Sequence, residues 1–195
     1  MLKWNNGEGI IFKKQIELDE KFLFKITQQV QNNSSNQIEL YPYAQITRNK
    51  VPDDIQNFYI SHEGFIGVFD EELKEDDYDD IEEKKIVREA NEGWFGIIDK
   101  YWMTALVPKN GESFKSTFLY QDAFKANYIL NKPTLINPSS SNTNEVRLFV
   151  AAKEVETIDT YAANQNIKKL DLVIDWGWFY FFTKPLFFII DYLFK

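Results

Sequence analysis

Cysteine is absent from the 195 residues, which excludes disulfides, thiolate metal sites and a cysteine nucleophile while fitting reducing and oxidising compartments equally. Glycine and proline are scarce, at 8 and 6 residues; neither a disordered nor a low-complexity chain is indicated. Positive charge is in deficit as well. A formal net charge of −8 argues against a phosphate-binding surface, so no nucleic-acid partner is expected. The start also lacks the charged n-region and apolar h-region of an export signal, because Met1 runs straight into Leu2, Lys3, Trp4 and an Asn-Asn-Gly turn. A cytosolic protein or a piece of a longer one would read this way.

What the chain does hold is apolar mass. Hydrophobic residues make up 44% and aromatics 16%, 17 of them Phe, enough to fill one core. The acidity is local: Asp70 to Glu83 carries ten carboxylates and one lysine, leaving the remainder close to neutral. That run lacks the glycine and ligand spacing of an EF-hand. The residues predict a solvated, self-repelling loop there, with neither a metal site nor a cofactor.

The dominant hydrophobic period is two, the pattern of half-buried strands. Ile10, Phe12, Ile16 and Leu18 fall on one face, and Phe22, Phe24, Ile26 and Val30 repeat the pattern, predicting an antiparallel pair. Ile38 to Ile46 is a further strand interrupted by Pro42, which belongs at an edge or a bend because it has no N–H. Later strands are predicted over Ile66 to Phe69, Trp94 to Val107, Phe114 to Tyr120, Phe124 to Leu130 and Val146 to Ala151, with a loop from Pro133 to Asn144. Helical spacing appears at Val155, Ile158, Tyr161 and Ala162. Strands first and helices last predict a mainly β fold, an antiparallel β-sandwich over residues 1–172 with a short helix near its end.

Residues 173–195 form a distinct appendage. Asp175 to Lys195 reads DWGWFYFFTKPLFFIIDYLFK, the most apolar stretch in the chain. A membrane span would immerse Lys184 and Asp191 at about 2.5–3.5 kcal/mol each near the hydrocarbon centre. At about 100° per residue, Lys184, Asp191 and Lys195 share one narrow stripe while Leu186, Ile189, Ile190 and Leu193 point the other way. A core-packed helix would show the same stripe. The density of Trp and Phe favours an amphipathic helix at the headgroup boundary, with Trp178, Phe179, Phe182, Leu186 and Ile189 immersed, Trp176 beside them, and Lys184 and Lys195 facing headgroups or water. Pro185 suits a helix that starts near Thr183 as its N-cap, after a separate aromatic turn.

Lys169 to Phe188, KLDLVIDWGWFYFFTKPLFF, closely resembles the junction in Gram-negative YidC-type insertases where the periplasmic domain meets an interfacial helix. Two further stretches agree: His62 to Val68, HEGFIGV, and Gly93 to Pro108, GWFGIIDKYWMTALVP. Leu148 to Lys153, LFVAAK, is a weaker fourth, and Phe65 departs from the proline the family motif suggests. The resemblance implies a large twisted β-sandwich (supersandwich) of the kind found in sugar mutarotases, in the later part of the periplasmic domain of an inner-membrane insertase. Implied partners are the inner-membrane lipid surface, the Sec translocon and nascent membrane proteins, without enzymatic chemistry. The motif residues His62, Glu63, Gly64, Gly67, Trp94, Asp99, Lys100, Tyr101, Trp102 and Pro108 would then be structural, with Trp94, Trp102 and Leu106 packed inside.

Two other readings stay open on the residues alone. A carbohydrate-binding or mutarotase-like sandwich could use His62 as acid and Glu63 as base, or the aromatics around Trp94 and Tyr101-Trp102 as a sugar platform. Neighbours on a strand, however, point to opposite faces. An interaction platform would instead expose a strand edge or an apolar patch.

Overall fold

The computed structural model describes residues 1–53, 55, 62–177 and 179–194. Its strands, in chain order, are β1 (Leu2–Asn5), β2 (Ile10–Leu18), β3 (Leu23–Asn32), β4 (Ile38–Leu40), β5 (Tyr43–Arg48), β6 (Gly64–Phe69), β7 (Glu72–Asp76), β8 (Ile86–Ala90), β9 (Gly93–Ile98), β10 (Trp102–Val107), β11 (Phe114–Tyr120), β12 (Phe124–Leu130), β13 (Thr134–Ile136) and β14 (Ser140–Ala152). The helices are α1 (Tyr78–Glu83), α2 (Val155–Asn164) and α3 (Tyr180–Phe194), with a 3₁₀ turn over Leu170–Val173. An eight-stranded antiparallel sheet in the order β1-β2-β3-β14-β10-β9-β6-β7 faces a four-stranded one in the order β5-β12-β11-β8. Strands β13 and β4 form a separate ribbon.

The alternation of side chains explains why β6, β9 and β10 are almost wholly buried. Phe65, Phe69, Phe95, Ile97 and Leu106 point into the space between the sheets, where they meet Phe114, Phe118, Phe124 and Tyr128 of the smaller sheet. Ile66, Val68, Trp94, Ile98, Met103 and Ala105 point out of the opposite face, where Ile158 and Tyr161 of α2 and Leu170 and Val173 of the 3₁₀ turn cover them. With both faces covered, a strand can be apolar at every position. The result is three layers, helix on sheet on sheet.

The smaller sheet is too narrow to cover the larger one. Among the described residues it ends at β5, so it does not reach over the inner face of the wing made by β1, β2 and the far part of β3. Phe12 does pair with Val30, and Ile16 with Ile26, as the alternation predicts. Yet Ile16 and Leu18 are exposed, and Phe22, with φ +70°, belongs to the turn instead of the strand.

Several expectations are corrected. Asp70 to Glu83 is not a loop: it forms β7 and α1, anchored by buried Tyr78 and Ile81. Pro133 to Asn144 contains β13 and the start of β14, whose polar residues Ser140 to Asn144 pair along β3. Trp94 to Val107 is a hairpin, β9 and β10, closed where the Asp99 amide donates to the Trp102 carbonyl at 2.8 Å. Trp102 is consequently not in the core. It is 60% exposed, whereas Trp94 and Leu106 are buried as expected.

Candidate membrane-interface site

The chain leaves the sandwich through Asp175-Trp176-Gly177, where the Asp175 carboxylate accepts from the Gly177 amide at 2.7 Å and Gly177 takes φ +70°. Helix α3 then begins at Tyr180. Phe179, not Thr183, caps it: its carbonyl accepts from the Phe182 and Thr183 amides at 2.8 and 2.9 Å. Thr183 instead sits in the first turn and ties it backwards, its hydroxyl donating to the Trp176 carbonyl at 2.8 Å. Pro185 lies inside the helix, one turn in, and has no N–H to donate to the helical ladder.

Two unlike faces result. The Trp176 ring lies against the polar side, with the Lys184 ammonium 5.7 Å from its centroid and Phe187 edge-on at 5.4 Å. Trp176, Lys184 and Asp191 are accordingly half-buried. On the other side Phe182, Leu186, Ile189, Ile190 and Leu193 share a stripe about 100° wide, the width of an amphipathic helix's apolar face. Phe179 extends it past the helix start, and Phe179, Phe182, Leu186, Ile189 and Leu193 are 56–74% exposed. A helix packed into the core would have buried this face, so that alternative is set aside.

At 15 residues, α3 is about 22 Å long against a hydrocarbon core of about 30 Å. Among the described residues no helix is long and apolar enough to cross a membrane. Of the eight residues expected at the interface, Trp176, Phe179, Phe182, Lys184, Leu186 and Ile189 are placed as above. Trp178 and Lys195 lie outside the described residues.

Of the motif residues, His62, Glu63, Gly64 and Asp99 to Trp102 lie at the turn end of the β9–β10 hairpin, Gly67 lies mid-strand, and Trp94 and Pro108 lie at the opposite end of that hairpin. His62, mostly buried, points Nε2 at the Phe65 carbonyl, 2.9 Å away, and Nδ1 at the Asp77 carboxylate, 3.5 Å away. It closes its own turn and is not poised as an acid beside Glu63. Gly64 and Gly67 allow close contact: a Cβ at Gly64 would meet the Asp76 carbonyl at 2.7 Å, and one at Gly67 would meet the Phe69 ring and the Phe95 Cβ at 2.7 Å. Phe65, in the expected proline position, is fully buried against Tyr78 and Phe118. Trp94 donates its indole N–H to the Lys168 carbonyl at 3.1 Å, tying β9 to the segment that leads into the 3₁₀ turn.

Asp99 opens the β9–β10 turn and accepts twice from Arg48 Nη1, at 2.7 and 2.9 Å, bracing the larger sheet against β5. Lys100 rests over the Tyr101 ring at 5.3 Å, and Tyr101 and Trp102 stand exposed at the turn, not stacked as a platform within a cleft. The Lys153 amide donates to the Tyr101 carbonyl at 2.8 Å, and Pro108, buried, ends β10. Burial lowers the Lys153 pKa from its ordinary value, opposed by the Glu63, Asp99 and Asp175 carboxylates. Among the described residues no group of His, Asp and Glu could hold a metal ion.

The most informative missed residues are Asp76 and Arg88, which form a largely buried ion pair. Arg88 Nη2 donates to Asp76 Oδ1 at 2.8 Å, and Nη1 and Oδ2 lie 2.7 Å apart but off hydrogen-bond alignment. The guanidinium also covers the Phe69 and Phe118 rings at 5.5 and 5.6 Å. Its signal in the sequence was a lone Arg at an inward position of an otherwise alternating strand.

Comparison with known proteins gives the family and the fold. The family model for the YidC periplasmic domain matches residues 1–189. The membrane protein insertase YidC of Pelagibacter ubique is 49% identical over 194 residues, covering 100% of this chain and 35% of the relative. That of Methylorubrum extorquens is 36% identical over 213 residues, covering 99% and 34%. The chain thus spans about a third of the length of these curated relatives, which are named as insertases and not as enzymes. Among solved structures, a galactose mutarotase related enzyme from Lactobacillus acidophilus shares the fold, with a TM-score of 0.51 at 12% identity, covering 76% of this chain and 66% of the other. The mainly β, mutarotase-like sandwich is as expected, and the chain belongs to the YidC periplasmic domain family.

Proposed function

We propose that the chain acts in the periplasmic domain of an inner-membrane protein insertase, with α3 lying in the headgroup region and holding the sandwich against the bilayer. The observation that carries this reading is the exposed stripe of Phe182, Leu186, Ile189, Ile190 and Leu193 on a helix whose other face is braced by Trp176. A stripe of this kind gains by burial among acyl chains, while Lys184 meets anionic headgroups. In the whole protein such a float would keep the domain beside the site where nascent membrane proteins enter, alone or next to the Sec translocon. The relatives' name supports an insertase; the lipid contact, the translocon and the substrates belong to the proposal.

Flotation with vesicles of bacterial inner-membrane lipid tests it, comparing the full chain with one ending at Leu172. The full chain should rise with the vesicles and the shortened chain should stay behind. Equal behaviour of the two would overturn the proposal.

A further inference from the structure

The chain between the sandwich and α3 is clamped on both sides of a short joint. On the sandwich side, Lys168 gives its carbonyl to the Trp94 indole and its ammonium to Glu92, and Lys169 Nζ donates to the Glu71 carbonyl at 2.6 Å. Leu170 and Val173 are buried on the sheet, Ile174 packs beside them, and the Ile174 amide donates to the Asp171 carbonyl at 3.1 Å. The segment thus crosses the outer face of the larger sheet from the Trp94 end of the β9–β10 hairpin towards its turn. There Asp175 comes within electrostatic reach of the Lys153 ammonium, and the Lys153 amide is bonded to the Tyr101 carbonyl at that turn.

On the helix side the ties run backwards. The Thr183 hydroxyl donates to the Trp176 carbonyl at 2.8 Å, with the Phe179 carbonyl 3.3 Å away. The Trp176 ring is held by Lys184 and Phe187. Trp176 therefore moves with α3 although it precedes the helix.

Between the two clamps stand Asp175 and Gly177, and each is fixed in a different way. The Asp175 carboxylate accepts from the Gly177 amide at 2.7 Å. A Cβ added at Gly177 would meet nothing within 4 Å, so glycine serves there for its φ of +70° and not for room. All of these ties join residues of this chain to one another, so the joint is complete whatever else packs around it in a longer protein.

We propose that this joint presets the direction in which α3 leaves the sandwich, with Trp176 as its positioning residue, so that the domain stands over the bilayer at one tilt. A flexible tether would let the sandwich swing over the membrane surface; a joint tied from both sides carries the orientation of the seated helix into the sandwich. The proposal rests on the membrane reading of α3 and adds a defined geometry to it.

The chain has no cysteine, so Lys115→Cys on the smaller sheet and Tyr192→Cys on α3, both at exposed positions, accept one pair of spin labels. Double electron-electron resonance reads their separation, free and at saturating vesicles of bacterial inner-membrane lipid. The labelled parent chain should give one narrow distribution, the same in both states. Gly177→Val places a β-branched residue at positive φ and should shift the distribution or broaden it at least about twofold, whereas Gly177→Asn, which tolerates that conformation, should leave it in place. Trp176→Ala should broaden it likewise, and Trp176→Phe, which restores a ring against Phe187, should narrow it again. If Trp176→Ala lowers the thermal midpoint of the sandwich, Thr183→Val, which removes only the hydroxyl, takes its place and should also broaden the distribution. A broad distribution in the parent, a different one on vesicles, or one that Gly177→Val and the Trp176 or Thr183 variant both leave unchanged overturns the proposal while the lipid contact of α3 stands. A parent chain that does not bind vesicles overturns the membrane reading itself, and the tilt over the bilayer with it.

Discussion

Replacing Asp76 by alanine strands the Arg88 guanidinium between two aromatic rings with its carboxylate gone. The Asp76 side chain is 9% and that of Arg88 20% exposed, so little water reaches the site. Breaking a buried pair from one side costs about 3–5 kcal/mol, and the residual exposure of Arg88 puts this case at about 3 kcal/mol. For a domain of this size that is a fall in Tm of about 6–12 °C. Urea unfolding followed by circular dichroism is the assay, and the midpoint should fall with the slope unchanged. Removing both partners, as Asp76→Leu with Arg88→Met, leaves no orphaned charge and should recover most of the loss. A single variant costing less than about 1 kcal/mol, or a double variant no better than the single, would refute the argument that burial makes this pair matter.

Other outcomes follow from the same structure. Trp94→Ala should cost about 3–5 kcal/mol and Trp102→Ala less than about 0.5, because one indole is buried and the other stands on a turn; chemical unfolding of the two variants checks the contrast. Gly67→Ala should cost about 1–3 kcal/mol, since its new methyl meets two aromatic side chains, and differential scanning calorimetry reads it. Burial would raise the Asp19 pKa, but the Tyr161 hydroxyl and the Leu23 and Lys21 amides outweigh it and hold it below the ordinary value. A lowered carboxylate pKa gives stability that is present above the unfolded value of about 3.9 and is lost as pH falls through the folded one. Tyr161→Phe should therefore cost about 1 kcal/mol at pH 7 and less at pH 3, a difference that urea titrations at the two pH values would measure.

Legibility in the sequence tracked burial. Strands β6, β9, β11 and β12 were readable because their apolar residues meet a second layer, and the helix at Val155 because Ile158 and Tyr161 cover the sheet. Strand β8 was not, since its inward positions are Ile86, Arg88 and Ala90, and a charge at the centre hides the period that the Asp76 partner makes tolerable. The acidic segment misled for a related reason: its ten carboxylates hide the two anchors Tyr78 and Ile81. Strand β14 runs past its apolar part because β3 offers main-chain partners to Ser140 through Asn144, and pairing leaves no mark on side-chain pattern.

At the candidate site the apolar face of α3 was legible from angular spacing alone. The start of the helix was not: Thr183 has a good cap's chemistry but spends its hydroxyl on the Trp176 carbonyl.

Face-resolved binding to vesicles of bacterial inner-membrane lipid tests the central claim most directly. Leu186 and Ile189 each have over half their surface free to bury, worth roughly 1–1.5 kcal/mol apiece in the interface. Leu186→Asp with Ile189→Asp should therefore weaken partitioning of the full chain about a hundredfold, while Lys184→Gln on the braced face should weaken it no more than about fivefold. Unchanged affinity in the double aspartate variant would contradict the account of α3 as the element that seats the domain on the membrane.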